Sequence, residues 1–472
     1  MELLSIYGPA HFGNFYECMS KTEARELFKE WKSWGINGIG TYFNPANAVD
    51  PFSQDPLYKW AREMPIMLWE RKRKLLQAAQ ENGMKITLSL SPNVVYIDQL
   101  RPELAAETTS TEYIGPNLCP SKPEARKIIL NNCKNLFEYI GNGGVSIDFI
   151  LAFLRDWGGC NCKECSPWIK TYLGLWEDLI PILKKYHPNV KVQFCTWWMT
   201  EEELETICEY LKIQRPKWVD GINLSLNYST EIPKVELPDG YKKTIFLHIS
   251  YATTHLDKYG VKGGVVAPNR LDMIFKKLKD YNIEGFQAYS EGIYDDLNKF
   301  LVAHLGNNSS LNTRELVKDY CHKYFNINSS TDIEELVDAI YKLENLKDEE
   351  ASKIIETLEK IGKKYNCLYN WKFALLLTRA KVGALEWQIG NKETWEREYQ
   401  KLAPEERKRY IYKIDTLVEE RRKVLDYLER YIYRVGAQCH VLDIDNDYKI
   451  WQEWKKGLIT QEVPETFQGF IP

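Results

Sequence analysis

The first three hundred residues alternate short β-rich runs with amphipathic helical patterns, and they do so around eight strands. Leu3–Tyr7, Gly38–Phe43, Lys85–Ser91, Val190–Thr196, Gly221–Asn227, Lys243–Ser250 and Gly285–Tyr289 read as strands, with a further long run opening at Val145. Helical spacing marks Lys21–Trp34, a segment ending near Asn82-Gly83, Pro123–Ile140, Trp168–Tyr186 and Arg270–Tyr281, and Thr200 with Glu203 forms a capping box for one more. Between the sixth and seventh strands PKVELPDG is too short for a full helix. Strands joined through helices run parallel, and eight of them match an α/β fold, the (β/α)8 TIM barrel, over residues 1–309 with one degenerate unit. An open doubly wound sheet is the alternative, but no glycine-rich phosphate fingerprint follows the first strand.

The polar stretch NNSSLN beginning at Asn307 marks a boundary, beyond which the pattern is helical. Apolar spacing of three and four runs through Thr313–Phe325, Asp332–Leu343, Glu349–Tyr365, Trp371–Ile389 and Pro404–Val435. The expectation is an all-α C-terminal domain, 310–472, packed on the barrel or on another subunit, which would make a homo-oligomer through these helices. Trp371, Trp387 and Trp395 read as its core, while for the tail Ile450–Pro472, with Trp451 and Trp454, docking on the barrel and docking on a partner both stay open. The whole chain, 472 residues, is too long for one ordinary core. Its net charge of -4, with no long basic run, argues against nucleic acid or an anionic membrane as the main partner. MELLSIYGPAHFG has no positive n-region or sustained apolar h-region, and no stretch approaches the ~20 apolar residues of a membrane span. Eleven cysteines, an odd number, do not suggest a disulfide framework. A cytoplasmic protein with a small-molecule ligand is expected.

Inward-facing positions say what the barrel is for. Thr87, Ser89 and Ser91 on the third strand share a face, as do Asn223, Ser225 and Asn227 on the sixth, Thr244, His248 and Ser250 on the seventh, and Gln287, Tyr289 and Glu291 on the eighth. Barrel interiors can be filled by aliphatic residues alone, so these hydroxyls and amides suggest a polar ligand near the C-terminal mouth. Aromatic residues fall at the same strand ends: Phe12, Tyr42, Trp157, Trp197, Trp198, Tyr251 and Tyr289. Hydrogen-bonding groups interleaved with flat apolar rings suit a sugar, which has a hydroxyl rim and C–H faces. Candidate substrate contacts are therefore His11, Tyr42, Asn93, Arg155, Trp157, Trp197, Trp198, Asn227, His248 and Tyr289. For His11 and His248 a satisfied structural histidine is the competing reading.

The run from Val145, VSIDFILAFLRDWGGCNCKEC, carries the expected chemistry. A period of two puts Val145, Ile147, Phe149, Leu151 and Phe153 on a face covered by helices. Ser146, Asp148, Ile150, Ala152 and Leu154 fall on the inner face, which Asp156 continues at the strand end. A dozen residues is long for a strand, so a bulge can break this parity. Glycoside hydrolysis requires one protonated and one ionised carboxyl group on either side of the anomeric carbon. Asp156 as acid and Glu291 as base are the best pair, with exchanged roles open and a loop ion pair of Arg155 with Asp156 as the competing reading. Trp157 as a hydrophobic lid would raise the acid's pKa. Strands four and eight face each other across a barrel, which favours a wide pair, roughly 6.5–9.5 Å apart, and inversion. Asp148 is too deep to reach a substrate, and Asp295 and Asp296 read as the start of the final barrel helix.

RDWGGCNCKEC after a barrel strand, YSEGIYDDLNKFLVAHLG at the barrel's close and a helical tail starting RELVKDYCHKYF together resemble a group of barrel glycoside hydrolases and hydrolase-like proteins, similar to the hexosaminidases and α-glucuronidases. The resemblance covers the barrel and the start of the tail. It implies the glycosidase reaction class, an acid at Asp156 and a carboxylate closing the last strand at Glu291. Two-carboxylate catalysis is expected to need no cofactor. Asp156 is followed by Trp157, not by the glutamate of the hexosaminidase acid pair, so N-acetylhexosamine and substrate-assisted catalysis are not implied.

Cys160, Cys162 and Cys165, spaced C-x-C-x2-C, could supply three thiolates to a structural zinc, with Cys119 from the loop after strand three as the fourth ligand. Reduced cysteines holding a tight loop are the competing reading, and either would fix the loop carrying Asp156. Cys133 and Cys208 sit in helical patterns as packed small hydrophobes. Two other functions stay open. One is a non-catalytic carbohydrate-binding protein on a degenerate barrel. The other is a metal-dependent barrel hydrolase or sugar isomerase using His11, Asp156 and His248, although the H-x-H pair that usually follows strand one is missing.

Overall fold

The computed structural model describes the chain except residues 1, 9–18, 44, 46, 47, 108–116, 155–158, 227–230, 250–263, 291, 434–443 and 463–472, and the side chains of 348, 429, 433, 444–447 and 459–462. Eight parallel strands close into a barrel in chain order: β1 (Leu3–Tyr7), β2 (Gly38–Tyr42), β3 (Lys85–Leu90), β4 (Phe149–Phe153), β5 (Lys191–Cys195), β6 (Val219–Ser225), β7 (Lys242–His248) and β8 (Gly285–Tyr289). Helices α1 (Lys21–Trp34), α2 (Glu63–Glu81), α3 (Pro123–Asn142), α4 (Trp168–Tyr186), α5 (Glu201–Gln214), α6 (Pro268–Leu278) and α7 (Asp296–Asn307) follow the strands. No helix lies between β6 and β7 among the described residues, as the shortness of PKVELPDG predicts. The barrel closes where β1 pairs with β8 from Leu3↔Gly285 to Tyr7↔Tyr289.

Local signals set the element ends. Ser20 and Glu23 make a reciprocal capping box at the start of α1, which buries Ala24, Phe28, Trp31 and Trp34. Thr200 and Glu203 do the same for α5. Gly40 in β2 is required by close approach, since a Cβ there would lie 2.6 Å from the Tyr7 ring. The N-terminal end of the barrel is stitched by charge. Asp220 lies 3.3 Å from both Lys191 and Lys242, and Lys85 Nζ donates to the Glu2 carbonyl at 2.8 Å.

One expectation about β4 is overturned. Leu151 and Phe153 pack with Tyr7, Cys195 and Phe246 inside the barrel, so the face assigned to the helices is the interior. The strand is only five residues long and apolar on both faces, as buried parallel strands are, so polarity could not tell inside from outside. Asp148 sits below the strand. Its carboxylate accepts from the Ile86 N–H at 2.8 Å, and its own N–H donates to the Ile86 carbonyl at 2.9 Å, joining β3 to the entry of β4. Burial pushes its pKa upward.

The chain divides into two compact units: residues 1–249, 270–292 and 299–311 in the first, and 250–269, 293–298 and 312–472 in the second. The second is built of α8 (Thr313–Phe325), α9 (Ser330–Glu344), α10 (Asp348–Lys364), α11 (Trp371–Ile389), α12 (Lys392–Lys401), α13 (Pro404–Tyr427) with a π-turn at Leu428–Tyr433, and α14 (Ile444–Glu462). Most of α11 is buried, and its Lys372 makes a buried ion pair at 2.6 Å with Asp296, which also accepts from the Tyr320 hydroxyl at 2.7 Å. Trp451 of α14 is fully buried against Trp395 and donates to Asp415 at 2.7 Å, so this part of the tail docks within the helical unit. Trp395 is core as expected, whereas Trp387 is 47% exposed. No described helix is long and apolar enough to cross a membrane.

His187 ends α4 and holds the approach to β4. Its Nδ1 accepts from the Ile147 N–H at 3.2 Å, and its Nε2–H donates to the Phe137 carbonyl at 3.0 Å. Both nitrogens are engaged by the neutral ring, and burial lowers its pKa. The unfolded chain therefore binds the proton more readily, and this contribution to stability is present above the unfolded pKa of about 6.5 and is lost below it, as pH falls towards the folded value. In urea unfolding, His187→Gln is expected to be less stable than wild type at pH 7.5, with the gap narrowing at pH 5. A gap that stays constant would show that the ring does not titrate.

Candidate active site at the barrel mouth

The C-terminal mouth is built in two layers. Below lies a polar layer: Asn223 Nδ2 donates to Thr244 Oγ1 at 2.8 Å, and Thr244 Oγ1 and Gln287 Nε2 both donate to Gln193 Oε1 at 3.1 Å. These side chains are fully buried and bond to one another. The inward hydroxyls and amides thus fall inside the barrel as predicted, but Asn223, Thr244 and Gln287 form an internal network instead of lining a ligand site.

Above them the layer is aromatic. Tyr7, Phe153 and Phe246 form a floor, with the Phe246 centroid 5.6 Å from Tyr7 and 5.7 Å from Phe153. On this floor the His248 ring is stacked between Trp197, at 4.8 Å and 19°, and Tyr289, at 4.5 Å and 23°. Trp197 and Tyr289 are half-buried, whereas His248 is only 3% exposed. Trp198, in the left-handed region at φ +57, packs edge-on against Trp197 and is 58% exposed. Burial, helped by the Arg270 guanidinium, pushes the His248 pKa down to about 3. Arg270 also donates to the His248 carbonyl at 2.7 Å. The imidazole is therefore uncharged near neutrality and belongs to an apolar platform whose outer rings are Trp197, Trp198 and Tyr289.

Of the sequence-predicted contacts, Trp197, Trp198, His248 and Tyr289 are brought together. Tyr42 is buried against Val94, and Asn93 is buried, its carbonyl accepting from the Leu118 N–H at 3.0 Å. His11, Arg155, Asp156, Trp157, Asn227 and Glu291 lie outside the described residues. The inward orientation expected for Asp156 depends on a strand parity that the interior position of Leu151 and Phe153 removes.

The flanks of both carboxylate positions are described, and both are pinned. Trp168 at the start of α4 holds the two sides of residues 155–158. Its Nε1–H donates to the Leu154 carbonyl at 3.0 Å, and Gly159 lies so close that a Cβ would come within 2.8 Å of the indole. Around position 291, the Ser290 N–H donates to the Tyr7 carbonyl at 2.7 Å, while Lys299, fully buried, donates through Nζ to the Gly292 carbonyl at 2.7 Å. Sequence reasoning missed Tyr7, Phe246, Arg270, Trp168 and Lys299. For Tyr7 and Phe246 the signal was the same period-two parity that exposed their strand neighbours. For Arg270, Trp168 and Lys299, each at or near a helix start, none was visible.

Cys119, Cys160, Cys162 and Cys165 are all buried, and their sulfurs lie within 4.8 Å of one another. Cys119 comes from the loop between β3 and α3, and the other three from the loop between β4 and α4, as the spacing predicts. Burial alone would raise the Cys119 pKa, but hydrogen bonds from the Ser121 hydroxyl and backbone N–H, and from Cys160 and Cys162, bring it down to about 7. Burial pushes Cys160 up to about 11 and Cys165 upward as well.

No family model matches the chain, and no curated protein matches it. Among solved structures it is similar to a Thermobaculum terrenum O-GlcNAc hydrolase, with 11% identity, 98% of this chain and 95% of that chain covered, and a TM-score of 0.44. It is similar also to the pneumococcal virulence factor StrH, with 9% identity, coverage of 77% and 98%, and a TM-score of 0.42. A third is an α-amylase from Geobacillus thermoleovorans, with 11% identity, coverage of 61% and 69%, and a TM-score of 0.38. All three lie below 25% identity and below a TM-score of 0.5.

The Trp168 clamp makes a direct prediction. Gly159→Ala is expected to lose about 1–3 kcal/mol of stability through overpacking on the indole. Trp168→Phe, which orphans the Leu154 carbonyl, should lose about 1–3 kcal/mol. Gly174→Ala, whose added Cβ meets nothing within 4 Å, should cost nothing in the same urea titration.

Proposed function

We propose that the barrel, residues 1–309, is a glycoside hydrolase that removes a terminal sugar from an oligosaccharide or glycoconjugate, and that residues 310–472 form a separate helical domain. The observation that supports this best is the platform of Trp197, Trp198 and Tyr289 at the C-terminal mouth, with its neutral His248. Ring faces of this kind pack on the C–H faces of a pyranose, and the mouth is where TIM barrels carry their chemistry. In this reading Asp156 donates a proton to the leaving oxygen, and Glu291 activates water on the opposite face of the ring. The two positions follow β4 and β8, which are opposite in the closed order of eight strands. That placement favours a separation of roughly 6.5–9.5 Å and therefore inversion. No cofactor takes part in this reaction.

The test is hydrolysis of aryl glycosides, including α-glucuronides, β-N-acetylhexosaminides, sialosides and neutral hexosides, by wild type, Asp156→Asn and Glu291→Gln with folding checked by circular dichroism. Turnover of one glycoside is expected to fall about 10²–10⁴-fold in each variant. NMR of the first-formed sugar should show the inverted anomer. Undiminished turnover in both variants would remove the assignment of the pair. Sugar binding that survives both substitutions, with no turnover of any glycoside, would instead identify a carbohydrate-binding protein on a hydrolase-like barrel.

A further inference from the structure

Four thiols from two separate loops converge on one point beside the barrel mouth, and their spacing is specific. Cys119 Sγ lies 3.7 Å from both Cys162 Sγ and Cys165 Sγ. A disulfide would bring a pair to about 2.05 Å, and simple packing imposes no common distance. Four sulfurs at about 2.3 Å from a central zinc form a tetrahedron with edges of about 3.8 Å. A cube of iron and sulfide would spread its thiolates farther than the 4.8 Å that encloses this set.

The surroundings suit anionic sulfur. The backbone N–H of Ser121 donates to Cys119, and those of Cys162 and Glu107 donate to Cys160. The Ser121 hydroxyl lies 2.9 Å from Cys119 Sγ and 3.8 Å from Cys162 Sγ. The Cys165 N–H turns back onto the Cys162 carbonyl at 3.0 Å, closing the tight turn that aims both sulfurs to the same side. Hydrogen bonds of this kind orient metal-bound thiolates and spread their charge. Four thiols with no cation among them could not all ionise, because like charges this close repel. A divalent cation removes that obstacle.

We propose that Cys119, Cys160, Cys162 and Cys165 hold a structural zinc ion in a closed tetrahedral tetrathiolate site, which staples the loop after β3 to the loop after β4. All four positions are protein ligands, so the ion has no open site for catalysis. Its task is mechanical. Cys160 directly follows Gly159, so the metal would fix the far side of residues 155–158 while the Leu154 carbonyl bonded to Trp168 fixes the near side. The centre stands independently of the reaction proposed above.

The full chain, expressed with zinc in the medium and dialysed exhaustively against metal-free buffer, is analysed by inductively coupled plasma mass spectrometry. Retention of about one zinc per chain is expected. Exchange with Co(II) should give the intense visible bands and the thiolate charge-transfer absorption of a tetrahedral tetrathiolate, a readout that needs no variant to fold. The four thiols should resist alkylation until a strong chelator removes the metal. Cys119→Ser and Cys165→Ser should each lose the stoichiometric metal, while Cys133→Ser, in α3, should keep it. Metal-free protein with four freely alkylated thiols, a disulfide within the set, stoichiometric iron in place of zinc, or zinc retained undiminished in both Cys119→Ser and Cys165→Ser would each overturn the proposal.

Discussion

The pairing of β1 with β8 is the interaction on which the rest of the barrel depends. Five successive residue pairs, from Leu3↔Gly285 to Tyr7↔Tyr289, remove both free edges of the sheet. The same ladder sets Tyr7 beside Tyr289, with ring centroids 5.7 Å apart, and leaves the Tyr7 carbonyl to receive the Ser290 N–H. Closure, the aromatic floor and the turn leading to position 291 are therefore one structural event. Tyr7 can occupy that place because Gly40 on the next strand has no side chain to meet it.

Much of this order was legible in the sequence. Leu3–Tyr7, Gly285–Tyr289, Lys21–Trp34 and Trp168–Tyr186 begin and end in the structure where their patterns do, because a period of two or 3.6 and a capping residue act locally. The errors came where the decisive term was not local. β4 is apolar on both faces, so its orientation depends on the neighbours that close over it, and Leu151 and Phe153 turned inward against expectation. Asn223, Thr244 and Gln287 point inward as read, yet they hydrogen-bond within one network joined by Gln193, a partner two strands or more away in the ladder order for Thr244 and Gln287. α12 went unseen because its ten residues, KETWEREYQK, carry only two buried side chains, Trp395 and Tyr399.

The mouth and the helical unit solve the burial of polar groups differently. At the mouth His248 stays neutral between two rings, and its cost is met by losing the charge. In the helical unit charges are buried in pairs: Lys372 with Asp296, and Arg421 with Glu386 at 2.8 Å. Such pairs contribute little net stability against apolar replacements, but removing one partner leaves a stranded charge. Substitutions at these four positions should therefore be tolerated in matched pairs more readily than singly.

Closure by the first and last strands also governs how the chain can fold as it is made. β1 is complete at residue 7, but its second partner ends at residue 289. At synthesis rates of about 5–20 residues per second, β1 keeps one edge unpaired for roughly a quarter-minute to a minute. Throughout that interval the nascent sheet presents the backbone groups and apolar faces that invite pairing with a second chain. The fold that leaves no edge in the finished barrel thus concentrates its exposure to misassembly in the ribosome-bound stage.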